Sequence, residues 1–240
     1  MKRRLAIFDI DGTIFRSSLV IELVNALIKK GIYPKSVERE IEKDYVLWVN
    51  RQGGYPEYVL KVVDIYKENI KGHSEKEMKK VISEVIASEK NKLYIFTRDL
   101  IKDLLKKKYF LLAISGSPST IVSEFAKQLK FDHYFGTEYE VKKGIYTGRM
   151  VRNVFANKIV LLNNFTKEFN DLLDFSDSIG VGDTESDIPI FEFVKDPIAF
   201  NPNLGLAKYA QEKGWRIVVE RKDSIFDIKK FKMVSSNSKA

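Results

Sequence analysis

The first apolar run of the chain, Leu5 to Phe8, is too short for a helix and stops at the turn-forming stretch Asp9-Ile-Asp-Gly-Thr13. It therefore predicts a buried strand. Between residues 16 and 96 the pattern switches to helical spacing. Leu19, Leu23, Leu27 and Ile28 form one stripe, stopped at Gly31. Val37, Ile41, Tyr45 and Trp48 or Val49 form a second, closed by Gly53-Gly54. Pro56 suits the first turn of a third helix that runs toward Gly72, and Ser74 with Glu77 has the capping-box spacing that opens a fourth.

From about residue 97 strands and helices alternate. A short helix ends in Lys106-Lys-Lys108, and the apolar run Tyr109 to Ile114 precedes Ser115-Gly-Ser-Pro118. Ser117 is expected to cap the next helix, with Pro118 at its first position. Phe135 to Val141 and Ile145 to Arg149, split by Lys-Lys-Gly144, predict a hairpin. A helix over 156–173 follows, then a strand from Ser178 to Val181 that runs into Gly182-Asp-Thr-Glu-Ser-Asp187. A short helix, a strand near Ile198 to Phe200, a helix from Leu204 to Lys213 and a strand at Ile217 to Val219 complete the series. This alternation predicts an α/β fold with a Rossmann-like parallel sheet. Residues 1–15 and 97–240 would form the α/β core, and 16–96 an inserted helical-bundle cap. Ile225, Phe226, Phe231 and Met233 are expected to dock on that core, and the polar tail from Ser235 to fray.

Composition narrows the chemistry. At 44% hydrophobic and 12% aromatic residues the chain can bury a core, which excludes a disordered protein. There are no cysteines and only two histidines, His73 and His133, so thiolate sites and histidine-rich metal clusters are excluded. Both histidines are expected at the surface or at caps, and Trp48 and Trp215 as core anchors. No apolar run approaches the roughly 18 residues of a membrane span. The basic start is broken at Asp9 too soon for a signal peptide. A soluble, cytoplasmic protein is the expectation. The net charge of +8 permits attraction to phosphates or nucleic acid. A basic nucleic-acid-binding protein with a relic site is thus a competing hypothesis, but no basic stripe interleaved with aromatics supports it, and no nucleic-acid partner is expected.

Three strands end in chemically capable residues: Asp9 and Asp11, then Ser115, then Asp183 and Asp187. In open α/β sheets such ends converge on one crevice. Asp9 and Asp11 are two apart and face one side of an extended chain before Gly12 turns it. Converging carboxylates require a cation, and an all-oxygen donor set favours Mg²⁺. Ser115, the Gly116 amide beside a helix start, and Lys158 would stabilise a phosphoryl group. Arg149, Arg152 and Lys167 compete with Lys158 for that part, and Arg51 and Lys61 are weaker candidates for a substrate anion. Asp9 as nucleophile would form an aspartyl-phosphate.

Together these residues resemble the haloacid dehalogenase superfamily of phosphatases. Asp9-Ile-Asp-Gly-Thr13 resembles its first motif, Ser115 the second, Lys158 the third and Gly182-Asp-Thr-Glu-Ser-Asp187 the fourth. The helical insertion resembles the cap of the subfamily, IB, that includes phosphoserine phosphatases. The resemblance implies that Asp9 attacks phosphorus and that Asp11 serves as acid and then as base. It also implies that Asp9, the Asp11 backbone carbonyl and Asp183 hold Mg²⁺, and that Asp187 acts through waters or holds Lys158. A small phosphorylated substrate is expected. A phosphotransferase of the same family is the alternative, distinguished by product analysis. Two positions depart from the phosphoserine phosphatase pattern. Ser18 stands where a Glu is usual, seven residues after Asp11, with Glu22 one turn further on, and Ser-Gly-Ser117 replaces Ser-Gly-Gly. Phosphoserine specificity is therefore not implied.

Overall fold

The computed structural model describes residues 2–155 and 157–230. Eight strands among the described residues form one sheet, in the order β4-β3-β2-β1-β5-β6-β7-β8. Its centre is β1 (Arg3–Asp9), flanked by β2 (Phe110–Pro118) and β5 (Leu173–Gly182), both parallel to it. On one side β3 (His133–Lys142) continues the parallel run and turns back into β4 (Ile145–Arg152). On the other side β6 (Asp196–Phe200) and β7 (Arg216–Arg221) stay parallel, and β8 (Ser224–Ile228) closes the edge antiparallel to β7.

β1 shows why the central strands read as continuous apolar runs. Alternate side chains leave opposite faces of a strand, and both faces here are covered. Leu5 and Ile7 join a core with Leu162, Phe165, Ile190 and Leu206. Those residues lie on α7 (Lys158–Phe169), α8 (Ile188–Phe193) and α9 (Leu204–Lys213). Ala6 and Phe8 face the other way, into a core shared with Ile121 and Phe125 of α6 (Ser119–Gln128).

Four helices lie between β1 and the segment leading to β2: α1 (Leu19–Lys29), α2 (Ser36–Val49), α3 (Tyr55–Asn69) and α4 (Glu75–Glu89). Ser74 caps α4 by accepting from the Glu77 N–H at 3.1 Å. The apolar faces of these helices, through Leu23, Val62, Tyr66 and Met78, run without a break into the Ala6 and Phe8 face of the sheet. The two ends of the insertion lie side by side, with Arg16 N–H donating to the Lys92 carbonyl at 2.8 Å and Tyr94 N–H to that of Ile14 at 3.0 Å. The α3–α4 connection is tied to the β3–β4 hairpin by Gly72 N–H to the Tyr146 carbonyl and Tyr146 N–H to the His73 carbonyl, each at 2.9 Å. Helix α5 (Ile95–Lys106) then leads back to the sheet.

Several details correct the expectations. Ser117 does not cap a helix, because β2 carries on through Pro118 and α6 starts at Ser119 without a side-chain cap. The helix expected over 156–173 is Lys158–Phe169, because Leu173 already belongs to β5. His133 is not a surface or capping residue: its ring packs 5.6 Å from that of Phe165 and 4.9 Å from that of Phe135. Ile225 and Phe226 dock through the backbone ladder to β7 while their side chains stay exposed. Phe231, Met233 and the tail from Ser235 lie outside the described residues. Trp48 and Trp215 are both only partly buried, packed against the two cores. No helix among the described residues is long and apolar enough to cross a membrane.

Candidate active site

The carboxyl ends of β1, β2 and β5 meet beside the N-terminus of α7. Asp9, the last residue of β1, is 6% exposed and lies in register with Ile114 of β2. The chain then folds into a compact turn in which Ile14 N–H and Phe15 N–H both reach the Ile10 carbonyl at 2.9 Å. Gly12 adopts φ +85°, and a Cβ there would lie 2.2 Å from Asp183 Oδ2. Only glycine meets both demands. Thr97 of α5 fastens the turn by donating to the Thr13 carbonyl at 3.0 Å.

Lys158, the first residue of α7, is 4% exposed. Its ammonium donates to Asp9 Oδ1 at 2.9 Å and to Asp187 Oδ1 at 2.5 Å. Two of its rivals are engaged elsewhere, Arg149 with Glu140 and Arg152 with Glu138, and the substrate-anion candidate Lys61 pairs with Glu40. Asp187 is held in turn by the β5 loop, its Oδ2 accepting from the N–H groups of Asp183 at 3.0 Å and Thr184 at 3.1 Å. Gly182 makes room for it, since a Cβ there would come within 2.5 Å of the Asp187 carboxyl carbon. Asp183 accepts from the Thr13 hydroxyl at 3.2 Å.

Asp11 points elsewhere. Its Oδ1 accepts from Leu19 N–H at 2.6 Å, so the carboxylate caps α1 where the helix dipole favours an anion. Its Oδ2 accepts from the hydroxyls of Ser115 at 2.5 Å and Ser117 at 2.9 Å. Ser115 is fully buried, and Gly116 follows it with Phe155 packed nearby.

The charges follow from this geometry. Burial drives the Asp9 carboxyl well above the usual range; Lys158 opposes that, while Asp187, Asp183 and Asp11 reinforce it. Burial and the Asp187 charge do the same to Asp183. Asp11 is also raised by burial, against the pull of its hydrogen bonds. Burial works against the Lys158 ammonium, but Asp187 and Asp9 outweigh it and hold its pKa above the ordinary lysine value. Of these carboxyl groups only Asp9 and Asp187 pair with the buried ammonium. Oxygens of Asp9, Asp183 and Asp187 lie within 4.8 Å of one another. Asp183 has no ion pair among the described residues, so an oxygen-binding dication fits this donor set.

The structure therefore gathers Asp9, Asp11, Ser115, Gly116, Lys158, Asp183 and Asp187 around one crevice, but the Asp11 carboxylate turns to the serines and α1, away from the trio of Asp9, Asp183 and Asp187. Thr13 and Ser117 also belong to the site. Thr13 stands inside the first motif, where its spacing could have marked it. Ser117 stood out as a helix cap and as the departure from Ser-Gly-Gly in the second motif, and neither sign pointed to its contact with Asp11.

A family model for haloacid dehalogenase-like hydrolases matches residues 6–192. A histidinol-phosphatase of Neisseria meningitidis is 26% identical over 227 residues, covering 90% of this chain and 98% of its own. A phosphoserine phosphatase of Methanocaldococcus jannaschii is 24% identical over 224 residues, covering 92% and 94%. Among solved structures, a Bordetella pertussis protein of unknown function superimposes with a TM-score of 0.73 at 24% identity, covering 90% of this chain and 98% of its own. A phospho-aspartyl intermediate analogue of phosphoserine phosphatase does so with a TM-score of 0.61 at 21% identity, covering 93% and 96%. The chain belongs to the haloacid dehalogenase-like hydrolase family and is an enzyme of the phosphatase type.

Proposed function

We propose that this enzyme hydrolyses a small phosphomonoester by way of an aspartyl-phosphate on Asp9. The observation that carries this reading is the buried Lys158 ammonium, 2.9 Å from Asp9 Oδ1, beside the strand ends that also bring in Asp11, Ser115 and Gly116. In the first step an Asp9 carboxylate oxygen attacks phosphorus. The bond from phosphorus to the ester oxygen breaks, and Asp11 gives that oxygen its proton. In the second step water attacks phosphorus, Asp11 takes its proton, and the bond to Asp9 breaks to release inorganic phosphate. Ser115, Gly116 and Lys158 hold the phosphoryl oxygens through both steps, and Asp187 keeps Lys158 aimed.

Asp9, Asp183 and the Asp11 backbone carbonyl would hold Mg²⁺. When bound, the ion neutralises charge on the phosphoryl group and on the crowded carboxylates. The helices of residues 16–96 act as the cap over the crevice and exclude water from it. Ser18, buried just before α1 with its hydroxyl bonded to Asp11, offers no carboxylate to a substrate's ammonium group. Glu22 is engaged by Lys92 at 3.4 Å. Phosphoserine and histidinol phosphate, suggested by the names of the relatives, are accordingly two members of a wider panel of sugar and head-group phosphates.

The test is Mg²⁺-dependent phosphate release from 4-nitrophenyl phosphate and then from that panel. Asp9→Asn should abolish turnover on every substrate. Undiminished activity in that variant would remove Asp9 as the nucleophile.

A further inference from the structure

The Ser117 hydroxyl takes no part in the chemistry above, yet it is 2% exposed and fully committed. It accepts from Val20 N–H of α1 at 3.1 Å and donates to Asp11 Oδ2 at 2.9 Å. An amide can only donate and a carboxylate only accept, so the single hydroxyl proton is directed at Asp11. Ser115 donates to the same Oδ2 at 2.5 Å and accepts from Ser117 N–H at 2.9 Å. Ser115 is assigned above to the phosphoryl group, which leaves Ser117 as a hydroxyl donor dedicated to Asp11. Oδ1 accepts from Leu19 N–H at 2.6 Å, and the Ser18 hydroxyl also bonds the Asp11 carboxylate.

We propose that Ser117 is a positioning residue: it ties Asp11 to the start of α1 and so holds its carboxyl group where it delivers the proton to the leaving group. The inference rests on the reading of Asp11 as the acid in ester cleavage. With alanine at 117, Oδ2 keeps one hydroxyl donor, Val20 N–H loses its acceptor, and Asp11 gains freedom to rotate. Proton delivery then weakens while nucleophilic attack by Asp9 is untouched.

Substrates with different leaving groups separate these effects. A 4-nitrophenolate departs with little help from an acid, whereas phenolate and 4-methoxyphenolate need more. The experiment measures kcat/KM for 4-nitrophenyl, phenyl and 4-methoxyphenyl phosphate with wild type, Ser117→Ala and Ser117→Cys, in Mg²⁺. General acids contribute roughly 10²- to 10⁴-fold, so a misaimed one should cost about tenfold or more on the 4-methoxyphenyl ester relative to the 4-nitrophenyl ester. Because this is a ratio within one preparation, misfolded protein cancels out. Ser117→Cys, which keeps a weaker donor, should fall between alanine and wild type. Equal losses across the three esters, or no loss, would overturn the role of Ser117 while leaving the phosphatase reading intact. A wild-type chain with no Mg²⁺-dependent hydrolysis of 4-nitrophenyl phosphate would overturn both.

Discussion

A single buried ammonium, that of Lys158, joins Asp9 at the end of β1 to Asp187 in the loop after β5, at 2.9 and 2.5 Å. Removing it leaves two carboxylates without a counter-charge in a site nearly closed to water. Breaking a buried pair from one side costs about 3–5 kcal/mol. Lys158→Met should therefore lose about that much unfolding free energy at pH 8, measured by urea denaturation with EDTA present. The loss should shrink toward pH 5, as the Asp9 carboxyl, which burial holds well above the usual range, takes up a proton. A variant as stable as wild type at pH 8 would show that the ammonium does not hold the site together.

Asp183 supplies the second prediction. Its carboxylate lies near those of Asp9 and Asp187, and among the described side chains only the Thr13 hydroxyl is bonded to it. Mg²⁺ bound to the native state alone should raise the melting temperature, by the equivalent of about 2.7 kcal/mol at a hundred times its dissociation constant. Asp183→Asn should lose most of this response while keeping the fold. A thermal shift with Mg²⁺ that is the same in the variant would remove Asp183 from the metal ligands.

Much of this arrangement was legible in the sequence, because a strand end announces itself twice. Leu5 to Phe8 marks a buried strand by its uninterrupted apolar run, and Asp9, Asp11 and Gly12 mark its end by polarity and turn chemistry. The same reasoning reaches Ser115 and the loop from Gly182 to Asp187. Lys158 is different. In the sequence it is one of many lysines at the start of a helix, and its burial depends on Asp9 and Asp187, which lie 149 and 29 residues away. Ser117 failed for a related reason. Ser-Pro is a good helix-start signal locally, but pairing with β3, where Pro118 lies opposite Thr137, holds the segment extended to its end. His133 was hidden because its neighbours, Phe165 and Phe169, come from a helix distant in sequence.

Gly12 tests how tightly the first motif is fitted to the fourth. Its φ of +85° disfavours any side chain, and the missing Cβ is occupied by the Asp183 carboxylate. Gly12→Ala should move Asp183 away from Asp9. Displacing a reacting constellation by about 1 Å can cost about 10²-fold in rate. The expected result is a fall of that order in kcat/KM on 4-nitrophenyl phosphate, with the circular dichroism spectrum unchanged. A variant within threefold of wild type would mean that Asp183 gives way at no cost to the chemistry.

His133 predicts a pH dependence of stability that lies outside the catalytic crevice. Its ring packs 5.4 Å from that of Phe169 and 5.6 Å from that of Phe165. Burial lowers its pKa from the ordinary value; Glu168 opposes the shift and Arg152 adds to it. The unfolded chain therefore binds a proton more readily than the native one. Stability contributed at this position is complete above the ordinary histidine pKa of about 6.5. It is lost progressively as the pH falls from there through the lower native value. Glutamine at 133 cannot titrate. The unfolding free energy of wild type minus that of His133→Gln should therefore decline between pH 7.5 and pH 5.5, measured by urea denaturation at several pH values in that range. Taking the difference removes carboxylates common to both proteins. A difference that stays flat across the range would show that the aromatic packing imposes no cost on the charged ring.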